Sequence, residues 1–338
     1  METSGTADGN IELGRRRSTR GPQPDPARAR DAALLALGRE LLARGYRFTT
    51  ITPAAHQRVN SRSGNEIGSS LEAVFGWSRP FQRSSLPATI IELLQDAAEL
   101  ETCDGLLRSK VRFSTLGVQL FVHSAFPTDQ PDAVFFGPDT YRFVRGLRHA
   151  LIDFRIGSRP RVIDVGCGSG AGGLYVASLL ARHDPEIVLT DINPRALRYA
   201  CVNAALNGCP RFTTIESDLF AKIPGKADLI ISNPPYLVDP RGRLYRHGGG
   251  DLGFHLSLRI VEEGIDRLAP GGRLFLYTGT AVVDGVPKLF EALTPWLTAS
   301  GRAFTVEEID PDVFGEELEH APYDRADRIA AVAVTVDA

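Results

Sequence analysis

The sequence predicts an α/β protein whose larger, C-terminal part is an open, mainly parallel sheet with helices on both faces. Two observations carry that expectation. From Arg161 onward, short apolar runs of strand length alternate with stretches of helical periodicity, as in a chain that returns to one sheet through helical crossovers. The first run, Val162, Ile163 and Val165 around Asp164, passes through Gly166, Gly168 and Gly170 into an apolar-rich segment from Leu174 to Leu180. That reads as a buried strand, a tight turn and the start of a helix.

Seven strands are expected, at Val162–Val165, Glu186–Thr190, Phe212–Ile215, Leu229–Ser232, Arg273–Tyr277, Phe304–Ile309 and Ile329–Val336. Helices are expected between them at Gly172–Ala181, Pro194–Leu206, Leu256–Leu268 and Pro287–Thr298. The last two strands have no obvious helix between them. Upstream, residues 1–27 are rich in Gly, Ser, Pro and Arg and are expected to form a disordered tail, with Arg15, Arg16 and Arg17 solvated. Residues 28–130 read as a smaller domain that recognises substrate. It has helices at Arg28–Gly45, Thr52–Val59 (Thr52 as cap, Pro53 at the first helical position), Ser70–Phe75 and Pro87–Leu100. Strands at Leu106–Phe113 and Val118–His123 follow, giving a region that resembles a winged helix. Arg108, Lys110 and Arg112 alternate along the first strand and are expected on one solvated face. Residues 131–338 then form the sheet domain, entered through Phe136–Tyr141, which is read as a lid.

At 338 residues the chain can bury a large core, and 43% apolar with 23% charged residues is ordinary for a globular protein. A net charge of −3 argues against a dedicated nucleic-acid binder, and DNA is not expected as a partner. Cys103, Cys167, Cys201 and Cys209 show no CxxC spacing, so neither a metal site nor a disulfide framework is expected. A reducing, cytoplasmic location fits. No run approaches the roughly 18 apolar residues of a membrane span, so no membrane association is expected.

Ligands of open α/β sheets bind outside the carboxyl ends of the strands, and four such ends carry suitable groups. The glycine turn lets a ligand touch main chain, with a helix N-terminus just behind it. Gly168-Ser-Gly170-Ala-Gly172-Gly173 also satisfies the dinucleotide fingerprint, with Asp191 about 20 residues further on. The preceding acid, Asp164, points instead to a different nucleotide cofactor. Asp191 and Ile192 follow the second strand, where a carboxylate can accept from ribose hydroxyls or cap the next helix. Asp218 and Leu219 follow the third. After the fourth stands Asn233-Pro234-Pro235-Tyr236, whose prolines stiffen the turn and remove two N–H donors. An Asn amide oxygen and the Pro234 carbonyl can grip both hydrogens of a planar amino group, with Tyr236 lying flat against it. A dehydrogenase has no use for such a corner.

On Asp164-x-Gly166-x-Gly168-x-Gly170 and Asn233-Pro234-Pro235-Tyr236, the chain resembles the class I S-adenosyl-L-methionine (SAM) methyltransferases. It is most similar to the release-factor glutamine methyltransferases, the HemK/PrmC family. The resemblance runs from about Asp132 to the C-terminus and includes Gly248-Gly-Gly-Asp-Leu-Gly253. It implies a seven-stranded Rossmann-like sheet with an antiparallel final strand. It also implies SAM held by Asp164, Gly166, Gly168, Gly170, Asp191, Ile192, Asp218, Leu219 and Asn233, with Asp218 meeting the adenine amino group. Methyl transfer to a planar nitrogen would fall to Asn233, Pro234 and Tyr236. The implied acceptor is a protein glutamine. A small amide- or amine-bearing metabolite, a guanine or adenine in RNA, or SAM binding without turnover are the other readings. Two departures concern the acceptor. Gly137-Pro138-Asp139-Thr140-Tyr141 stands where the family carries Arg-Pro-x-Thr-Glu, and the region around Trp77 and Val111 is unlike the family's N-terminal domain. Tyr277–Ala281 and the stretch from Phe314 to Tyr323, with Glu316, Glu317 and His320, are read as further candidates for the acceptor cleft, solvated residues being the default there.

Overall fold

The computed structural model describes residues 25–338; the expected tail, including Arg15–Arg17, lies outside the described residues except at its end. There it is helical rather than loose. Helix α1 (Pro26–Ala43) begins inside the expected tail, because the Asp25 carboxylate accepts from Ala27 N–H at 3.1 Å and Pro26 presets the first turn. Helix α2 (Pro53–Asn60) is capped by Thr52 as expected. A short π-turn over Glu72–Gly76 and helix α3 (Ala88–Asp96) complete the helical part.

Two hairpins follow instead of one: β1 (Leu100–Cys103) with β2 (Leu106–Ser109), then β3 (Val111–Leu116) with β4 (Gln119–Ser124). The chain breaks at Lys110, so the three basic residues do not share a solvated face. Arg112 is 4% exposed, with its guanidinium over the Phe48 ring, and Arg108 donates to the Phe126 carbonyl at 2.7 Å. Only Lys110 of the three is left to solvent.

The second part begins with α4 (Pro138–Ala150). Then come β5 (Arg161–Val165), α5 (Ala171–Leu179), β6 (Glu186–Asp191), α6 (Pro194–Leu206), β7 (Phe212–Glu216) and β8 (Ala227–Ser232). Helix α7 (His255–Ile265), the long β9 (Leu268–Val283), the two-residue β10 (Val286–Pro287), α8 (Lys288–Ala299), β11 (Phe304–Asp310) and β12 (Arg328–Asp337) finish the chain. All seven expected strands form, in the order β11-β12-β9-β8-β5-β6-β7, with β10 clipped to β9 as an eighth. Pairs among β5 to β9 are parallel, and β12 runs antiparallel to both its neighbours. Order reverses at β5, which lies between β6 and β8, so a crevice opens at the carboxyl ends of these three strands.

Side chains that alternate along each strand feed two cores. Val162, Leu189, Leu229 and Ile231 pack with Phe143 and Leu147 of α4, Leu174 of α5 and Ala200 of α6. Ile163, Val188, Ile230 and Leu276 pack with Ile260 and Val261 of α7 and Leu293 and Leu297 of α8. The N-terminal part has its own core, which continues onto Ala196, Tyr199 and Val202 of α6. Asn203 on α6 and Asn207, which caps its C-terminus one turn on, each bond both polar groups of a β4 residue (Val122 and Leu120) at 2.7–3.1 Å. Their amides thus occupy an edge that would otherwise present unpaired backbone. Arg198 of α6 reaches Asp31 and Glu99 at 2.6 and 2.7 Å. Among the described residues no helix is long and apolar enough to cross a membrane, and no group of three acids, histidines or cysteines could hold a metal ion.

Candidate functional site

A cavity of about 300 Å³ lies in the crevice at the strand-order reversal. Its first wall is the turn after β5. Gly166, Gly168 and Gly170 have φ of 66°, 53° and 80°, a left-handed backbone that other residues rarely adopt. A Cβ built on Gly166 or Gly168 would meet nothing of the chain within 4 Å; both glycines face the cavity. Gly170 does not line it, because it is the cap of α5 and lies under Ala200 and Leu174.

Asp164 lines the cavity and is also tied to the backbone, its Oδ2 accepting from Gly173 N–H at 2.7 Å. Burial pushes its carboxyl up to about 7; the Gly173 bond opposes this and the charge on Asp191 adds to it. An unfolded Asp titrates near about 4, so between those values the folded chain holds the extra proton. The stability that Asp164 contributes is therefore greatest below about pH 4 and falls as pH rises through about 7. Asp164→Asn keeps an oxygen for Gly173, so its melting temperature should exceed that of the parent by a margin that widens, to roughly a few degrees, between about pH 5 and about pH 8. A constant margin across that range would contradict the assignment.

Asp191, at the end of β6, accepts from Gly168 N–H at 2.9 Å and from Asn193 N–H at 2.8 Å. One bond to each oxygen leaves lone pairs on both for a ligand. The helix-cap role falls to Asn193, whose Oδ1 accepts from Arg195 N–H at 3.0 Å. Burial raises the Asp191 carboxyl, and its N–H partners offset part of that rise. Ile192, 57% exposed, offers an apolar face at the rim. Asp218 and Leu219 follow β7 and line the far end, Leu219 in a left-handed conformation (φ 45°). Three carboxylates thus meet one cavity, and no Lys or Arg lines it among the described residues. Asp218 also pairs with Arg259 at 3.5 Å, and the lining suits a ligand carrying an ammonium and a sulfonium better than a pyrophosphate.

The fourth wall is the corner after β8. The Ser232 hydroxyl donates to the Val165 carbonyl at 2.7 Å and locks the ends of β8 and β5 together. Asn233 and Pro235 line the cavity, and no hydrogen bond occupies the Asn233 side chain among the described residues. Pro234 and Tyr236 do not line it. Tyr236 is turned away: its hydroxyl donates to Asp139 at 2.6 Å, beside a second bond to Asp139 from Tyr277 at 2.9 Å. Its ring meets Phe314 edge-on and lies against Gly279. Tyr236 therefore anchors the corner from behind and does not lie against an acceptor. Gly279→Ala would drive a methyl into that ring. We expect a stability loss of about 1–3 kcal/mol by overpacking and a lower kcat with unchanged cofactor affinity, checked by melting and steady-state assays.

The expected lid, Phe136–Tyr141, divides. Thr140 lines the cavity, whereas Phe136 is buried beneath it against Phe121 and His123. Just before it, Ala133, Val134 and Phe135 also line the cavity. The other acceptor-cleft candidates lie outside: Tyr277 is buried on Asp139, Glu317 pairs with Arg246, and the Tyr323 hydroxyl accepts from Val238 N–H at 2.9 Å. No motif in the sequence marks the strap between the corner and Gly248. Its Gly242, Leu244, Tyr245 and His247 line the cavity, and Tyr245 stacks on Phe135 with ring centroids 5.4 Å apart.

Sheet order and a cavity at the switch point are the architecture of class I methyltransferase domains, whose cofactor is S-adenosyl-L-methionine. Residues 151–282 match the family model of the methyltransferase small domain. Within the class the chain is HemK/PrmC-like. It is 35% identical over 183 residues to a release factor glutamine methyltransferase of Deinococcus radiodurans, covering 51% of this chain and 60% of that one. It is 37% identical over 150 residues to another from Cereibacter sphaeroides, covering 39% and 51%. A tRNA1(Val) (adenine(37)-N6)-methyltransferase of Aeromonas hydrophila is 37% identical over 137 residues, covering 37% and 54%. The chain thus spans 51–60% of the length of these relatives.

Proposed function

We propose that the chain transfers a methyl group from SAM to a planar amide nitrogen, that of a glutamine side chain in a protein. The observation that carries this is the free side chain of Asn233, on a proline-stiffened corner, facing a cavity ringed by three carboxylates. SAM supplies an electrophilic methyl on a cationic sulphur. Asp164, Asp191 and Asp218, with the turn at Gly166 and Gly168, would hold the cofactor. The Asn233 side-chain oxygen would orient the amide nitrogen by accepting one of its hydrogens. An amide is a poor nucleophile, so alignment rather than a strong base would do the work, and well-aligned groups can draw about 7–11 kcal/mol from orientation.

A protein acceptor is favoured over RNA by charge at the mouth. The arginines next to lining residues are each paired with an acid: Arg195 with Asp132 at 3.0 Å, Arg241 with Asp129 at 3.1 Å, Arg243 with Asp239 at 2.8 Å, and Arg246 with Glu317. Cations already neutralised offer little to phosphates, whose contacts make affinity steeply salt-dependent. Base methylation in RNA stays the second reading, since one relative carries that activity in its name. Labelled SAM incubated with cell extract separates them. Label that resists RNase, is lost to protease and varies little with salt supports a protein acceptor. RNase-sensitive label would replace it with RNA, and tight SAM binding without any labelling would point to a non-catalytic module.

A further inference from the structure

Resting on that reading, we propose that His247 determines acceptor specificity by donating a hydrogen bond from Nε2–H to the carbonyl oxygen of the carboxamide whose nitrogen is methylated. His247 lines the same cavity as Asn233, in the strap that closes its acceptor side. Its ring is oriented by the backbone: Asp239 N–H donates to His247 Nδ1 at 3.1 Å. An N–H can only donate, so Nδ1 is the bare nitrogen and the neutral ring carries its proton on Nε2. The strap is built to keep that arrangement. Asp239 is gripped by Arg243 through bonds of 2.8 and 2.9 Å and by Arg243 N–H at 2.9 Å. Leu237 N–H donates to the Arg246 carbonyl, and Gly248 N–H to the Leu237 carbonyl, so His247 is bridged to the residue that follows Tyr236.

A carboxamide offers two N–H hydrogens and one acceptor oxygen. The Asn233 side-chain oxygen is an acceptor and answers only the hydrogens, whereas the oxygen of the carboxamide needs a donor. In the strap, the Tyr245 hydroxyl is already given to the Thr128 carbonyl at 3.1 Å, so His247 supplies the donor on that side of the cavity. The bond would be equally present before and during transfer, so it acts on binding rather than on the chemical step.

The test compares His247→Asn, His247→Gln and the parent for labelled-methyl transfer into RNase-treated extract, with affinity for S-adenosylhomocysteine measured in parallel. Asn can still accept from Asp239 N–H but has no donor at the Nε2 position, whereas Gln restores a donor there. Expected is an acceptor KM raised about three- to ten-fold in His247→Asn, the worth of one neutral hydrogen bond, with unchanged kcat and product affinity. His247→Gln should recover part of that loss. A parent-like His247→Asn would overturn the inference by showing that the ring only props Asp239, and the methyltransferase reading would survive. A parent that labels no protein would remove the reading and the inference together.

Discussion

Asn233→Ala is expected to lower kcat by about 10²–10³-fold, the loss typical when one preorganised polar group at a reacting centre is removed. S-adenosylhomocysteine should still bind within about two-fold of the parent. The reasoning is positional. Asn233 reaches the cavity from the end of β8, whereas Asp164, Asp191 and Asp218 reach it from the ends of β5, β6 and β7. Its side chain bonds to no other described group, so shortening it leaves the corner standing. Single-turnover transfer beside calorimetry separates the possibilities. Activity within about three-fold of the parent would refute the gripping role, and a parallel loss of product affinity would move Asn233 into the cofactor site.

Asp191→Asn should show the opposite signature. Two charge-assisted bonds to ribose hydroxyls are each worth about 1.5–3 kcal/mol, and an amide in the same place keeps only part of that. Its NH₂ group would also face either Gly168 N–H or Asn193 N–H, both of which need an acceptor. Affinity for S-adenosylhomocysteine is expected to fall about 10²-fold or more, with kcat at saturating SAM nearly kept. Calorimetry across a salt series checks it, and a dissociation constant within about three-fold of the parent would sink the assignment.

The difference between these two substitutions follows the difference between what could and could not be read along the chain. Asp164, the glycines, Asp191, Asp218 and Asn233 each end a strand that its own apolar run announces, and the parallel sheet gathers those ends on one edge. Phe135, Tyr245 and His247 end no strand; a loop before α4 and a strap after β8 bring them together only when the sheet has formed. Asp139 belongs to the stretch that the sequence reads as a lid. It is instead the shared acceptor for Tyr236 and Tyr277, whose hydroxyls are buried and must find a partner. That need turns Tyr236 away from the acceptor. Arg112 had the spacing of a solvated strand residue, yet the break at Lys110 reverses its side and folds it over Phe48.

The seven strands, the glycine turn and the stiffened corner were legible in the sequence, because each is marked by residue types within a few positions, although the strands themselves pair across many residues. Tertiary structure alone decided which side chains face the cavity, which cations at its mouth are already neutralised, and which nitrogen of His247 is bare. Those outcomes depend on partners far along the chain, and a buried polar group takes whichever partner the packed fold brings within reach.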